Sequence, residues 1–299
     1  MTSTAIAEYL AGVIDDPDCP YVVTADLANP LGLVDFSERR ADRFLNVGVA
    51  EQMLAAAGAG LSTTGRPAVA VTFASFALRA VEIFRHLVVH DDLHVVLVGS
   101  HSGLSAGPNG GTHQCTEDLG IFSSMEGVVC FSPRSVPEAV EALKYCVATP
   151  GQYYVRLAKW EPPAGIRSEG TTHAASTDFF ASHGSAEPLD VAVISHGVTW
   201  NIACDAVEVL LSRGITSCAF HIGRLPAEPL GVTARVALTI EDHSALSGIG
   251  RTIRSFLPDA RAYRTIGAPW PLGSDDASRL YEIAGLSVAG ILDEIEDAL

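Results

Sequence analysis

Positive charge is scarce in this chain: 19 lysines and arginines stand against 35 aspartates and glutamates, a formal net charge of −16 over 299 residues. That balance argues against a nucleic-acid or anionic-membrane binder that relies on general electrostatic attraction. Any phosphorylated ligand then needs a local cation, or one supplied by a metal or a partner. Long apolar runs are missing as well. Runs such as Val95–Gly99 fall far short of a bilayer's thickness, and the first ten residues lack a basic start followed by an apolar core, so no secretory signal is expected. The six cysteines (Cys19, Cys115, Cys130, Cys146, Cys204, Cys218) include no C-x-x-C pair. Reduced, buried thiols are therefore expected, rather than a zinc site or a disulfide framework. A cytoplasmic protein with no metal held by its own side chains is the expectation. No low-complexity tract and no repeat of roughly 20–50 residues is present.

What remains is a composition with 48% hydrophobic residues, enough for two ordinary domains with their own cores. Strand patterns at Tyr21–Ala25, Phe44–Val47, Ala68–Val71, His94–Val98, Val128–Phe131 and Tyr153–Leu157 alternate with helical ones at Thr4–Val13, Ala50–Leu61, from Phe76 to about His90, Glu117–Met125 and Val136–Val147. This predicts a first α/β domain over residues 1–160, doubly wound on a mainly parallel sheet. Residues 161–188, opening with Pro162 and Pro163, read as a linker with one short strand near Asp178–Ala181. A second, smaller α/β domain is expected over 189–299, with strands at Asp190–Ser195, Thr216–Phe220, Val236–Ile240 and Ala262–Ile266 and helices at Thr199–Arg213, Gly248–Leu257 and Ser287–Ala298.

Within this frame, Arg43–Met53 places Glu51 near the start of a helix of small residues, after what reads as a buried strand. A carboxylate in such apolar company is expected to be desolvated and to hold a proton more readily; an acid that merely favours the helix dipole is the plainer alternative. Gly99–Thr116 carries five glycines and two histidines, His101 and His113, between a strand and a helix. Glycine permits close backbone approach to a ligand, and histidine suits proton transfer near neutral pH. Asp26 follows the first strand, at the end where α/β proteins bind ligands. Phe73 and Phe76 suit an aromatic pocket or ordinary core.

Asn-Val-Gly-Val-Ala-Glu-Gln at 46–52, Thr-Phe-Ala-Ser-Phe at 72–76, Gly-Ser-His-Ser-Gly-Leu at 99–104, Gly-Gly-Thr-His-Gln at 110–114, Glu117-Asp118 and Ile240-Glu-Asp-His-Ser244 occur in the order seen in transketolases. The chain resembles the carboxyl-terminal two-thirds of that family. The resemblance implies a pyrimidine-binding domain followed by the transketolase carboxyl-terminal domain, with thiamine diphosphate as cofactor. Glu51 would hydrogen-bond and activate the aminopyrimidine ring, Phe73 and Phe76 would pack against it, and Asp26, which resembles the acid of the family's Ala-Asp-Leu motif, would also bind the cofactor. His101 and His113 would bind sugar hydroxyls and relay protons. His243, in the last domain, would be structural. The family's Gly-Asp-Gly segment, which with an asparagine holds Mg²⁺ and the cofactor diphosphate, is absent. The resemblance thus implies one half of a split enzyme, with Mg²⁺ (or Ca²⁺) carried mainly by an amino-terminal, diphosphate-binding partner subunit in a heterotetramer.

Departures from the family bear on substrate. Pro30 stands where a serine is usual, Lys159 where an arginine is usual, no arginine precedes Arg39, and Asn109 replaces an aspartate that reads hydroxyl stereochemistry. Arg156 is a candidate to compensate. A lost charge-assisted phosphate contact costs about 1.5–3 kcal/mol, roughly tenfold or more in affinity. The expected activity is transfer of a two-carbon ketol unit between sugar-like substrates, at least one unphosphorylated or held differently from a pentose phosphate. Pro108-Asn-Gly110 also resembles the beta subunits of thiamine-dependent 2-oxoacid dehydrogenases, which would deliver an acyl unit to a lipoyl or carrier-protein thiol. A non-catalytic scaffold is the third reading. Steady-state kinetics on matched sugars with and without a phosphate should show no strong preference for the phosphorylated member; a preference of about a hundredfold, equivalent to roughly 2.7 kcal/mol, would contradict the substrate reading.

Overall fold

The computed structural model describes residues 2–160, 172–173, 179–270, 272–296 and 298–299. Six strands form the first sheet's parallel part: β1 (Tyr21–Thr24), β2 (Phe44–Asn46), β3 (Ala68–Phe73), β4 (Val95–Ser100), β5 (Val128–Phe131) and β6 (Gln152–Arg156). They lie in the order β5-β6-β4-β3-β1-β2, all parallel. Strands β3 and β4 are buried at every residue, because helices cover both faces, and so they read as near-continuous apolar runs. Alternation then sorts the side chains: Val69 and Val71 face helices Ala5–Val13 and Val136–Ala148, while Ala70 faces helix Glu51–Ser62. Ser135 caps the Val136–Ala148 helix by accepting from the Glu138 amide, with Pro137 in the first turn.

Two local expectations change. Strand β2 is at the sheet's edge, not buried: it pairs only with β1, and Leu45 is 40% exposed. The segment after Phe73 is wound unevenly, as short α-helical turns at Ala74–Ala77 and Val81–Ile83, a 3-10 turn at Leu78–Ala80 between them, and π-helix at Phe84–Val89.

The second sheet contains β7 (Thr172–His173), β8 (Phe180–Gly184), β9 (Leu189–Ser195), β10 (Ser217–Ile222), β12 (Ala234–Glu241) and β13 (Ala262–Gly267), in the order β13-β12-β9-β10-β8-β7. Its four strands β13, β12, β9 and β10 are mutually parallel, whereas β8 runs antiparallel to β10. Residues 180–184, read in the sequence as part of a linker, thus belong to this sheet. Most of the remaining linker reading, 161–171 and 174–178, lies outside the described residues. Strand β11 (Arg224–Leu225) crosses back and pairs with β5, extending the first sheet to seven strands. One apolar cluster also spans both units, from Leu54 and Phe84 through Phe122 and Cys130 to Ile194, Phe220 and Ile253. The expected helix over Gly248–Leu257 is broken into a 3-10 turn, Ile249–Arg251, and a short helix, Ile253–Phe256.

A buried polar seam joins the two sheets. Arg156, 3% exposed at the end of β6, donates from Nε to Asp118 and from Nη1 to Asp242 at 2.7 Å, and from Nη2 to the Asp242 carbonyl at 3.0 Å. Tyr154 donates to Asp118 and Tyr281 to Asp242, each at 2.7 Å. Burial alone would push the Asp242 carboxyl up, but Arg156, His196 and Tyr281 outweigh it and hold it below the usual carboxylate range. The desolvation of such groups offsets most of their attraction, yet removing one member leaves a charge buried without its partner. Arg156→Met should therefore lower the unfolding free energy by about 3–5 kcal/mol in urea denaturation; a loss below about 1 kcal/mol would show that the seam does not depend on the guanidinium.

Candidate active site

The parallel strands end together at one edge, and the residues singled out in the sequence gather there. Glu51 opens the Glu51–Ser62 helix directly after the β2 loop. Its side chain is only 4% exposed, and Oε2 has no hydrogen-bond partner; Arg79 Nε, from the tightened turn after Phe76, stands 3.5 Å from that oxygen on a side chain 71% exposed. A buried carboxylate oxygen without a donor is rare in native proteins and calls for a missing partner. Around it the surface is apolar, with Val49 74% and Met53 55% exposed beside Leu45.

Strand register brings the next group together. Phe73 pairs with Ser100 across β3 and β4, so His101 follows next to Phe73. The Phe73 and His101 rings are 3.9 Å apart, Phe73 and Phe76 5.4 Å, and Phe76 and His113 5.3 Å. His101 is buried, and its Nδ1 lies 2.9 Å from the Ser100 hydroxyl. Its backbone is left-handed, φ +60, a strained conformation for a residue with a Cβ that tends to mark functional sites. Asp26 shares that φ value, and its amide donates to Asn46 Oδ1, which also accepts from Gly48. Asp26 is exposed at the same edge and has no described contact with the aromatic cluster.

Loop 99–116 is tied together by its own backbone hydrogen bonds. Gly103 and Cys115 exchange two backbone hydrogen bonds, at 2.7 and 3.1 Å, and close its base. Its glycines were expected to admit a ligand; at Gly103, φ +59, a Cβ would instead collide with the Asp242 carboxylate of the second sheet. Lys159 Nζ donates to Asn109 Oδ1 at 3.0 Å, so the two substituted positions face each other. Arg156, expected at the substrate, is a correction: all three of its nitrogens are engaged in the buried seam, out of reach of a ligand. Sequence reasoning missed Arg79, Ser100 and the grip of the second sheet on this loop. Gln114 and Asp242 stood inside the family's motifs, but their partners lie too far along the chain for spacing to reveal them.

These residues fit the pyrimidine end of thiamine diphosphate. Oε2 of Glu51, which lacks a hydrogen-bond partner, would hydrogen-bond the ring nitrogen, and Phe73 and Phe76 offer the ring an apolar wall. Among the described residues no cluster of histidine, cysteine and acidic side chains is arranged to hold a metal, and no helix is long and apolar enough to cross a membrane.

A parallel α/β sheet with a buried helix-start acid, an aromatic pair and two histidines at its carboxyl edge has the form of the ligand-binding edge of an open α/β domain. The chain belongs to the transketolase pyrimidine-binding domain family, which it matches over residues 1–163. It is 28% identical to a putative transketolase C-terminal section of Methanocaldococcus jannaschii, over 78% of this chain and 74% of that protein. It is 25% identical to one of the subunits of an apulose-4-phosphate transketolase from Actinobacillus succinogenes, over 89% of this chain and 86% of that one. A solved split-gene transketolase, described as an inactive beta4 tetramer, superimposes with a TM-score of 0.82 at 26% identity, covering 100% of this chain and 98% of that one.

Burial, with smaller contributions from Lys159 and His113, lowers the His101 pKa to about 4. The unfolded chain, near pH 6.5, takes up the proton first as the pH falls. The stabilisation is thus complete above about pH 6.5 and is lost toward about pH 4. His101→Asn should flatten the stability curve across that window, and an NMR titration should place the His101 midpoint below about pH 5; a midpoint near 6.5 would contradict its burial.

Proposed function

We propose that this chain is the carboxyl-terminal subunit of a two-chain transketolase-type enzyme, moving a two-carbon ketol unit from a ketose donor to an aldehyde acceptor. The observation that carries the reading is Glu51: a buried carboxylate with one oxygen lacking a hydrogen-bond partner, opening a helix beside an exposed apolar edge. Thiamine diphosphate, when bound, supplies the electron sink for the transferred unit. Glu51 would hydrogen-bond the pyrimidine ring, Phe73 and Phe76 would orient that ring, and His101 and His113 would contact the substrate's hydroxyls and relay protons there. His101, kept neutral by burial, presents one ring nitrogen that accepts and one that donates a hydrogen bond to a substrate hydroxyl.

The other half of the site is assigned to an amino-terminal partner subunit carrying the diphosphate and Mg²⁺ or Ca²⁺. Support comes from Leu45, Val49 and Met53, exposed where such a partner would seat, and from the relatives named as separate transketolase sections or subunits. A heterotetramer follows from the same reading. The substrate is proposed to be sugar-like and unphosphorylated at one end. Pro30 offers no hydroxyl, Arg156 is occupied, and Lys159 is paired with the neutral amide of Asn109. The two residues would sort substrates by their distal hydroxyls.

Glu51→Gln removes the ionisable oxygen with almost no change in shape. In the complex with its partner it should reduce ketol transfer by about 10²-fold or more while circular dichroism and thermal unfolding stay unchanged. Full activity in the variant would overturn the assignment, and 2-oxoacid decarboxylation with thiol transfer in the wild type would move the chain to the dehydrogenase class.

A further inference from the structure

The loop that carries Asn109 and His113, together with the helix Asp118–Ser123 that follows it, is held by the second sheet's unit at five places, each by a residue distant in sequence. Asp242 packs against Gly103, Ser274 Oγ donates to the Pro108 carbonyl at 2.6 Å, and Gln114 donates to the Gly273 carbonyl while accepting from the Leu272 amide. The Ser244 amide donates to the Thr116 carbonyl at 2.7 Å, and His243 Nε2 accepts from Gly120 at 3.2 Å. Three of the five belong to consecutive residues, Asp242, His243 and Ser244. Together they grip both stems of the loop closure, Gly103 on one side and Thr116, next to Cys115, on the other.

That grip has a direct geometric consequence. His101 and His113 stand on the two sides of the Gly103–Cys115 closure, and both reach the same aromatic pair, His101 at 3.9 Å from Phe73 and His113 at 5.3 Å from Phe76. The left-handed backbone of His101 costs conformational energy and persists only where neighbouring contacts over-determine it. Two residues on, Gly103 is wedged against Asp242; Asp242 is itself fixed by Arg156 and Tyr281.

We propose that Asp242 is a positioning residue for the transfer reaction. Clamped by Arg156 and Tyr281, it sets the path of the loop so that His101 and His113 converge on the Phe73–Phe76 wall. The second unit is on this account part of the active site's scaffold, and the inference rests on the transketolase-type reading above. Glu51, Phe73 and Phe76 lie outside the loop, so the effect falls on the substrate side and leaves cofactor binding intact.

The test is Asp242→Asn, with Tyr281→Phe as a milder variant that keeps the ring and loses only the hydroxyl bond to Asp242. Both are assayed in the complex with the partner subunit, and by hydrogen exchange on the chain. Asp242→Asn should lower kcat by about tenfold or more, since small misplacements of catalytic groups are expensive, while the affinity for thiamine diphosphate stays within about twofold. Amides of residues 103–116 should exchange faster, while those of β3 and β4 do not. Tyr281→Phe should move the same quantities in the same direction by a smaller amount, and decides the matter if Asp242→Asn fails to fold. Unchanged loop exchange or unchanged kcat in a folded variant overturns the inference, as does a uniform rise in exchange across β3 and β4. A wild-type complex without ketol transfer refutes the functional reading instead, and is recognised by the equal silence of the Glu51→Gln control.

Discussion

Arg156 lies at the end of a central strand with its guanidinium divided between Asp118, from its own domain, and Asp242, from the other. Both carboxylates are fully buried. Ions so far from water are tolerated only when each has close, oriented partners, so the two sheets are confined to the one arrangement in which all are satisfied. From that arrangement follow the contact of Asp242 with Gly103, the closure of the loop at Cys115, and the meeting of His101 and His113 around one pair of phenylalanines. Breaking the ion set therefore affects both the packing of the domains and the shape of the site.

The proposed division of the site agrees with a consistent set of features. An acidic chain with net charge −16 has little positive charge for a diphosphate, and two cations near the edge are committed: Arg156 to the seam and Lys159 to Asn109. What the chain does offer is an acceptor, an aromatic wall and neutral imidazole. These are the groups a pyrimidine ring and a sugar require, and exposed apolar residues lie on and just after the edge strand, at Leu45, Val49 and Met53. Division of the site between two chains accounts for all of these features together.

Much of this was legible in the sequence. The alternation of apolar runs with helical periodicity gave both sheets, because parallel strands buried on two faces have few polar positions. Glu51 could be singled out at a helix start after a strand, Asp26 at a strand end where ligands bind, and His101 and His113 as the two histidines of one glycine-rich loop. The edge position of β2 is not legible in sequence, since three residues are too short a run for their exposure to show as a pattern. Arg156 was misread because nothing local distinguishes a ligand-binding arginine from one whose partner lies 86 residues ahead. The glycines of the loop were read as room for a ligand. Gly103 in fact makes room for Asp242, a contact visible only once the two sheets are packed.

The account's central claim is that the cofactor site is divided between this chain and a partner. Isothermal titration of thiamine diphosphate with Mg²⁺ into the chain alone, into a diphosphate-binding partner alone, and into their mixture tests it most directly. The mixture should bind at least about tenfold more tightly than either chain, a gain of roughly 1.4 kcal/mol or more. Binding by the isolated chain as tight as that of the mixture would contradict a divided site.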